Sequence, residues 1–193
     1  MSTVAGLATR ERLLEAAREL IEEGGYGSAS VAAIADRAGV ASGTVYRHFA
    51  SKADLFLEVF RTVCSGEERA MRAAADEAGT TAVDRLEAVL STFARRALQN
   101  RRLAWALLAE PVDPPVDAER LAYRERYAAL VVDELTAAID GGEIPPQNVA
   151  FTAAALVGGC GEALVGPLSS VDGSDEVVTS IQIFVRRAIA ASA

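Results

Sequence analysis

A short stretch near the N-terminus brings hydroxyl, aromatic and cationic side chains together. It contains the only histidine and the only lysine of the chain, His48 and Lys52, together with Thr44, Tyr46 and Arg47. Side chains of these types hold the phosphate backbone of DNA, and an arginine can read a guanine through two parallel hydrogen bonds. The stretch therefore predicts a DNA-binding surface. The alternative interpretation is an ordinary solvated helix face.

Two short helices around a glycine turn are expected to position these groups. The run from Ser30 to Gly39 is typical of a helix that ends in a turn, where glycine adopts a positive φ without strain. A second helix is predicted from about Ser42 to Phe49, with Val45 and Phe49 facing inward. Its outward side chains would then be Gly43, Thr44, Arg47 and His48, with Tyr46 intermediate. A helix, a turn and a polar-faced helix make up the helix-turn-helix pattern.

Residues Gly25 to Phe60 resemble the DNA-binding half of the tetracycline-repressor (TetR) family. The matching residues are Gly25-Tyr26, Ser30-Val31, Ile34-Ala35, Ala38-Gly39-Val40, Gly43-Thr44, Tyr46, His48-Phe49, Ser51-Lys52 and Leu55. The resemblance implies phosphate contacts from Tyr46, His48 and Lys52. One position departs from the family pattern, because Ala41 stands where the family often has serine. Ser42 is the candidate that replaces the missing hydroxyl as a helix cap or phosphate contact.

The other predicted DNA contacts follow from their places on the helices. Gly43 and Thr44 are expected to approach base edges, and Arg47 to reach a guanine. Ser30 and Lys52 lie where the first amides of a helix favour an anion. The predicted DNA-binding residues are Ser30, Ser42, Gly43, Thr44, Tyr46, Arg47, His48 and Lys52.

Charge and composition limit the alternatives. The net charge of −8 lies entirely beyond Lys52, because the first 52 residues carry six basic and six acidic side chains. With so few cations, nonspecific DNA affinity should be modest and should fall quickly with salt. No signal peptide is recognised, and the most apolar stretch, Val149 to Val165, is interrupted by glycines and Glu162. We therefore expect a cytoplasmic protein without a membrane segment.

Catalysis and metal binding are not predicted. The only histidine belongs to the DNA motif, no phosphate-binding glycine loop follows a strand, and no metal-ligand spacing occurs. Cys64 and Cys160 are interpreted as two buried thiols, with a redox or metal sensor as the alternative. No cofactor is expected.

The whole chain is predicted to be all-α, with about nine helices. An N-terminal three-helix helix-turn-helix domain (residues 1–52) is followed by a linking helix (53–78) and a helical ligand-binding and dimerisation domain (79–193). Beyond the motif helices, Thr9 is a plausible N-cap for a first helix to Glu23, and Ser51 and Asp54 predict a capping box that opens helix 4. The other helices are predicted over Thr81–Gln99, Arg101–Glu110, Asp117–Asp140, Gln147–Val165 and Ser174–Ala191.

The last two helices are apolar nearly all round, which is more than one core-facing stripe requires. The surplus indicates a second buried side, and the resemblance implies a four-helix dimer interface. The predicted interface residues are Leu156, Leu164, Val177, Ile181, Phe184 and Val185. The alternative is that both are central helices of a monomer. The glycines at 158, 159 and 161 would allow close helix approach or leave room for a ligand.

A set of aromatic and apolar side chains could line a ligand cavity in the second domain. The candidates are Phe93, Trp105, Leu108, Tyr123, Tyr127, Phe151 and Cys160, with Glu162 as a further polar anchor. The alternative is plain helical core. The sequence thus favours a homodimeric regulator that binds an operator in double-stranded DNA and is released, as a repressor, by a small apolar effector. The alternatives are a constitutive DNA-binding dimer and a helical adaptor protein.

Overall fold

Helices account for nearly all of the chain that the computed structural model describes, residues 2–169 and 174–190. Within these ranges there are nine helices and no strand. They are α1 (Ser2–Gly24), α2 (Val31–Arg37), α3 (Ser42–His48), α4 (Lys52–Glu77), α5 (Ala82–Gln99), α6 (Arg101–Leu108), α7 (Pro114–Asp140), α8 (Val149–Ser169) and α9 (Ser174–Ile189).

The motif helices begin and end where their capping residues require. The Ser30 hydroxyl accepts a hydrogen bond from the Ala33 amide (3.1 Å), which satisfies one of the free N–H groups at the start of α2. After α2 the chain turns at Gly39, whose φ of +66° suits a residue without a side chain. Ser51 caps α4 in the same way, through the Asp54 amide at 3.0 Å. The predicted turn at Gly39 and the Ser51 half of the predicted capping box are confirmed.

Several helix ends differ from the sequence-based predictions. Helix α1 already begins at Ser2, so Thr9 lies inside it and is not its cap. Helix α7 begins at Pro114, because the missing N–H of a proline is no loss in a first helical turn. Helix α8 continues past Gly166 and Pro167 to Ser169, so these residues do not end it. The predicted end of helix 9 at Ala191 lies outside the described residues.

Two compact units divide the chain differently from the predicted domain borders. The first unit runs to Cys64 and takes up Asn100–Arg120, and the second comprises Ser65–Gln99 and the chain from Leu121 onward. The α6 segment therefore belongs with the helix-turn-helix, where α6 packs on α1. Asn100 Nδ2 also donates to Glu22 Oε1 (2.6 Å), which ties the start of α6 to α1.

The core of the second unit lies where α5 packs against α8 and α9. Leu86 and Leu90 of α5 are buried, as are Leu156 of α8 and Val185 of α9. Ion pairs surround this core: Arg85 binds Glu134, and Arg186 binds Asp84 and Glu87. At the surface such pairs contribute little to stability, so apolar burial is the main stabilising term here.

Candidate nucleic-acid interface

Helix α3 presents a polar, solvent-exposed face above an apolar anchor. Val45 and Phe49 are buried, at 1% and 4% exposure, and hold the helix on the first unit. On the opposite side Ser42, Gly43, Tyr46 and Arg47 are exposed, while Thr44 and His48 are half-buried. Tyr46 is 58% exposed, so it lies on the outer face of the helix and not in the intermediate position predicted for it. An exposed polar helix after a tight turn is the element that a helix-turn-helix protein inserts into the major groove.

The start of α3 has no side-chain cap, contrary to the role predicted for Ser42. Ala41 is the N-cap residue and has no hydroxyl, so no side-chain hydrogen bond is formed there. Ser42 is already the first residue of the helix, and its side chain therefore cannot take the N-cap position. Its predicted phosphate contact does not depend on capping and stays a prediction.

Lys52 has a protein partner that the sequence did not indicate. Its ammonium donates to the Tyr26 carbonyl oxygen (2.7 Å) and lies 3.8 Å from the centre of the Tyr26 ring. Burial of this ammonium lowers the pKa of Lys52, and the carboxylates of Asp113 and Glu110 act in the opposite direction. Since an ammonium has three donors, a bond to Tyr26 leaves capacity for a phosphate.

Two carboxylates that follow α6 bind Tyr26, and neither contact was predicted from the sequence. Glu110 accepts hydrogen bonds from the backbone amides of Tyr26 (2.9 Å) and Gly27 (3.3 Å), and Asp113 accepts one from the Tyr26 hydroxyl. The sequence around Glu110 does not predict these bonds, because the partners are more than 80 positions away. In the sequence, only the Gly25-Tyr26 pair pointed to this region, because it is one of the matches to the TetR family.

The predicted pocket residues are divided between the two compact units. Trp105 and Leu108 belong to the first unit, and the other five belong to the second. Phe93, Tyr127 and Tyr123 form a row of rings with centroid separations of 5.7 and 6.0 Å. The Tyr123 hydroxyl is 2.8 Å from Ser65 Oγ. Phe151 is 72% exposed, so it does not line an enclosed cavity.

Most predicted interface residues lie inside the protomer. Leu156, Leu164, Ile181 and Val185 are at most 3% exposed, because they form the face of α8 and α9 that packs on α5. These four cannot touch a second chain in this arrangement. On α8 and α9 the exposed large apolar side chains include Phe151 at 72%, Ile183 at 45% and Phe184 at 43%. Of the predicted set, only Phe184 and the half-buried Val177 reach the surface.

An apolar groove of about 500 Å³ lies between α8 and α9. Its lining residues are Gly159, Cys160, Ala163, Glu176, Val177, Ser180, Ile181 and Phe184. A Cβ on Gly159 would lie 3.4 Å from the Phe184 ring, an ordinary van der Waals distance, and a Cβ on Gly158 or Gly161 would have nothing within 4 Å. Cys160 is 1% exposed, and burial raises the pKa of its thiol to about 11.

By length and composition, one described helix could cross a membrane. The segment Val149–Gly166 of α8 has a mean hydropathy of 1.6, and 22% of it is buried within the chain. A single helix of this kind is weak evidence, because apolar helices that pack in soluble proteins pass the same criterion. Among the residues at 2–169 and 174–190 whose side chains are described, no group of three His, Cys, Asp or Glu is arranged to hold a metal ion.

Helix α3 follows a glycine turn, is anchored on the first unit and exposes its polar face. This arrangement defines a helix-turn-helix DNA-binding protein. Residues 13–59 match the family described as "Bacterial regulatory proteins, tetR family", and residues 79–164 match the "Tetracyclin repressor-like, C-terminal domain". The chain belongs to the TetR family of transcriptional regulators. This confirms the all-α fold with an N-terminal helix-turn-helix and a C-terminal helical domain.

Named relatives are transcriptional regulators. The chain is 30% identical to the HTH-type transcriptional regulator UidR of Escherichia coli K12, over 86% of this chain and 83% of UidR. It is 27% identical to the HTH-type transcriptional repressor KstR of Rhodococcus jostii, over 72% and 60% of the two chains. The crystal structure of FadR from Bacillus subtilis in complex with stearoyl-CoA has a TM-score of 0.79 at 23% identity, covering 93% of this chain and 98% of that one.

Proposed function

We propose that this regulator is a homodimeric repressor that binds an operator in double-stranded DNA in the cytoplasm and is released by a small apolar effector. The observation that carries the DNA-binding part is the exposed face of α3. Gly43, Tyr46 and Arg47 stand in solvent, while Val45 is 1% exposed and fixes the helix. A rigidly anchored helix whose small and cationic residues project outward fits the major groove.

The dimer is supported by apolar surface that the protomer leaves uncovered. Phe151, Ile183 and Phe184 are each more than 40% exposed. A membrane would also cover such a surface, but the exposed Glu162 of α8 would be costly in a bilayer core. A second copy, with its α8 and α9 packed on the same helices, would bury these aromatic side chains.

Two observations support an apolar effector. The row formed by Phe93, Tyr127 and Tyr123 places large rings and phenol hydroxyls together inside the second unit, the combination that ligand sites for mostly apolar molecules use. A protein of similar fold from Bacillus subtilis has been crystallised with stearoyl-CoA. Long-chain acyl-CoA thioesters are therefore the first effectors to test on this chain.

The test begins with selection of DNA fragments that the purified protein retains. Operator affinity is then measured by fluorescence anisotropy with and without stearoyl-CoA, and binding of the thioester is followed by the melting temperature and by the fluorescence of Trp105. We expect the effector to raise the melting temperature and to weaken operator binding, because a ligand that favours one state must disfavour what prefers the other. Effectors that bind without changing operator affinity would favour the constitutive DNA-binding dimer instead.

A further inference from the structure

Tyr26 is held by charged side chains at its amide, its carbonyl and its hydroxyl. Its amide donates to Glu110 Oε2 at 2.9 Å, its hydroxyl donates to Asp113, and its carbonyl oxygen accepts from Lys52 Nζ at 2.7 Å. The residue is 9% exposed, and its ring packs edge-on against Phe56. We call the group of Tyr26, Lys52, Glu110 and Asp113 the Tyr26 latch.

The turn after α1 is shaped to accept the Glu110 carboxylate. Gly25 has a φ of +80°, so the chain bends and the following amides of Tyr26 and Gly27 point to the same side. One carboxylate takes both amides, with Oε2 on Tyr26 and Oε1 on Gly27. Consecutive amides in such a bend form an anion-binding nest. Here the anion is a side chain of the same protein.

Arg120 fixes the segment that delivers this carboxylate. Its Nη2 donates to the carbonyl oxygens of Glu110 (2.7 Å) and Ala106 (2.9 Å), and its Nε donates to Leu107 O (2.6 Å). A guanidinium on the last carbonyls of a helix replaces the hydrogen bonds that the helix end lacks. Glu110 is therefore positioned by α6 and the first turns of α7, and does not depend on a loose loop.

The latch ends at the DNA-binding surface. Lys52 is the first residue of α4 and lies four positions after His48, the last residue of α3. Without the Tyr26 carbonyl and ring, its long side chain would sample many rotamers, and ordering it on a phosphate would cost conformational entropy. With them, the ammonium is already fixed and keeps two donors for DNA.

We propose that Glu110 is a positioning residue for operator binding, which acts through Tyr26 to fix the Lys52 ammonium toward a DNA phosphate. The proposal rests on the proposed function, in which Lys52 contacts the operator backbone. It gives the end of α6 a defined route to the DNA, through side chains that belong to a single compact unit.

A double-mutant cycle on the full chain tests this route. Affinity for the selected operator and its salt dependence are measured for wild type, Lys52→Ala, Glu110→Ala and the double variant. The salt slope is the slope of the logarithm of the binding constant against the logarithm of the salt concentration. Loss of one phosphate contact lowers its magnitude by about 0.9. We expect Glu110→Ala to show most of the decrease in salt slope that Lys52→Ala shows. The double variant should bind within about twofold of Lys52→Ala, because the effects of coupled residues are not additive.

Charge alone predicts the opposite result. Removing a carboxylate makes the protein less negative, which strengthens DNA binding in the absence of any other effect. Glu11→Ala, which removes an exposed carboxylate from α1, measures this contribution. Tyr26→Phe keeps the ring under Lys52 and loses only the Asp113 bond, so its operator affinity should lie between wild type and Glu110→Ala.

The outcomes separate the two proposals. A Glu110→Ala protein that is folded by circular dichroism but keeps the wild-type affinity and slope overturns the latch, as does an additive double variant. If Glu110→Ala does not fold, Glu110→Gln, which retains one acceptor oxygen, replaces it in the cycle with the same criteria. A wild-type protein that retains no DNA fragment overturns the proposed function, and the latch with it.

Discussion

Gly25 and Glu110 are fitted to each other across the first unit. A Cβ atom on Gly25 would lie 2.8 Å from Glu110 Oε2, a distance that Cβ atoms essentially never show, and 3.1 Å from Oε1. Gly25 also has a φ of +80°. The position therefore requires glycine for its backbone conformation and, independently, for access of a carboxylate.

The pair of Gly25 and Gly39 separates these two requirements. Gly39 has a φ of +66°, and a Cβ atom added there would meet no atom within 4 Å. We expect Gly39→Ala to lower the free energy of unfolding by about 1–2 kcal/mol, from the left-handed backbone alone. Gly25→Ala should cost at least about 1 kcal/mol more, because Glu110 is displaced and the amides of Tyr26 and Gly27 lose their acceptor. Urea unfolding measures both, and equal losses would contradict the fit of Gly25 to Glu110.

The surface formed by α3 and the start of α4 predicts two different effects on DNA binding. Lys52→Ala should weaken binding to all sequences and lower the salt slope by about one unit, whereas Arg47→Ala or Thr44→Ala should change the sequence preference. Titrations with the selected operator and with single-base variants distinguish these effects. Arg124→Ala, which removes an exposed cation from α7, controls for charge. Unchanged titrations for all three folded variants would remove the assignment of this face to DNA.

Burial predicts opposite consequences for two neighbouring residues of α9. Ile181 is 3% exposed, so Ile181→Asp puts an unpaired charge into the protomer core and should prevent folding. Phe184 is 43% exposed, so Phe184→Asp should leave the protomer folded by circular dichroism. Light scattering should then give a monomer, with operator affinity reduced because one protomer reads only one half-site. A wild-type protein that is already monomeric at micromolar concentration would refute the dimer.

Cys160 predicts a dependence of stability on alkaline pH. Burial raises the pKa of its thiol from 9.0 to about 11, so above pH 9.0 the folded chain holds this proton more tightly than the unfolded chain. The contribution is fully present below pH 9.0 and is lost as the pH rises toward 11. The stability difference between wild type and Cys160→Ala should therefore shrink between about pH 9 and pH 11. A constant difference in urea unfolding would contradict the assignment to this thiol.

The elements whose signals are local could be predicted from the sequence. Ser30, Gly39 and Ser51 act on residues within three positions of themselves, so their capping and turn roles are readable without any tertiary information. The same holds for Val45, whose burial follows from helical spacing. The start of α1 was missed because nothing in residues 2–8 prevents the helix from continuing toward the N-terminus.

The errors arise where two faces of one helix are both apolar. On α9, Ile181 and Val185 are four apart and face the core, while Ile183 and Phe184 lie on the outer side. Hydrophobicity alone does not distinguish the core-facing side of the helix from its outer side, so the predicted interface contains residues from both sides. Long-range bonds are a second limit: Glu110 and Tyr26 are far apart in the chain, and their pairing appears only when α6 packs on α1.

The discontinuous first unit determines how this protein can be divided. A fragment that ends at residue 78 keeps α1 to α4, yet it loses Glu110 and Asp113 and leaves the Tyr26 amide and hydroxyl without their acceptors. Chimaeras that transplant the DNA specificity of this chain onto another effector domain therefore need two inserts, the N-terminal helices and Asn100–Arg120. A chimaera joined after residue 78 would contain the DNA-binding helices but not Glu110 and Asp113, which bind Tyr26.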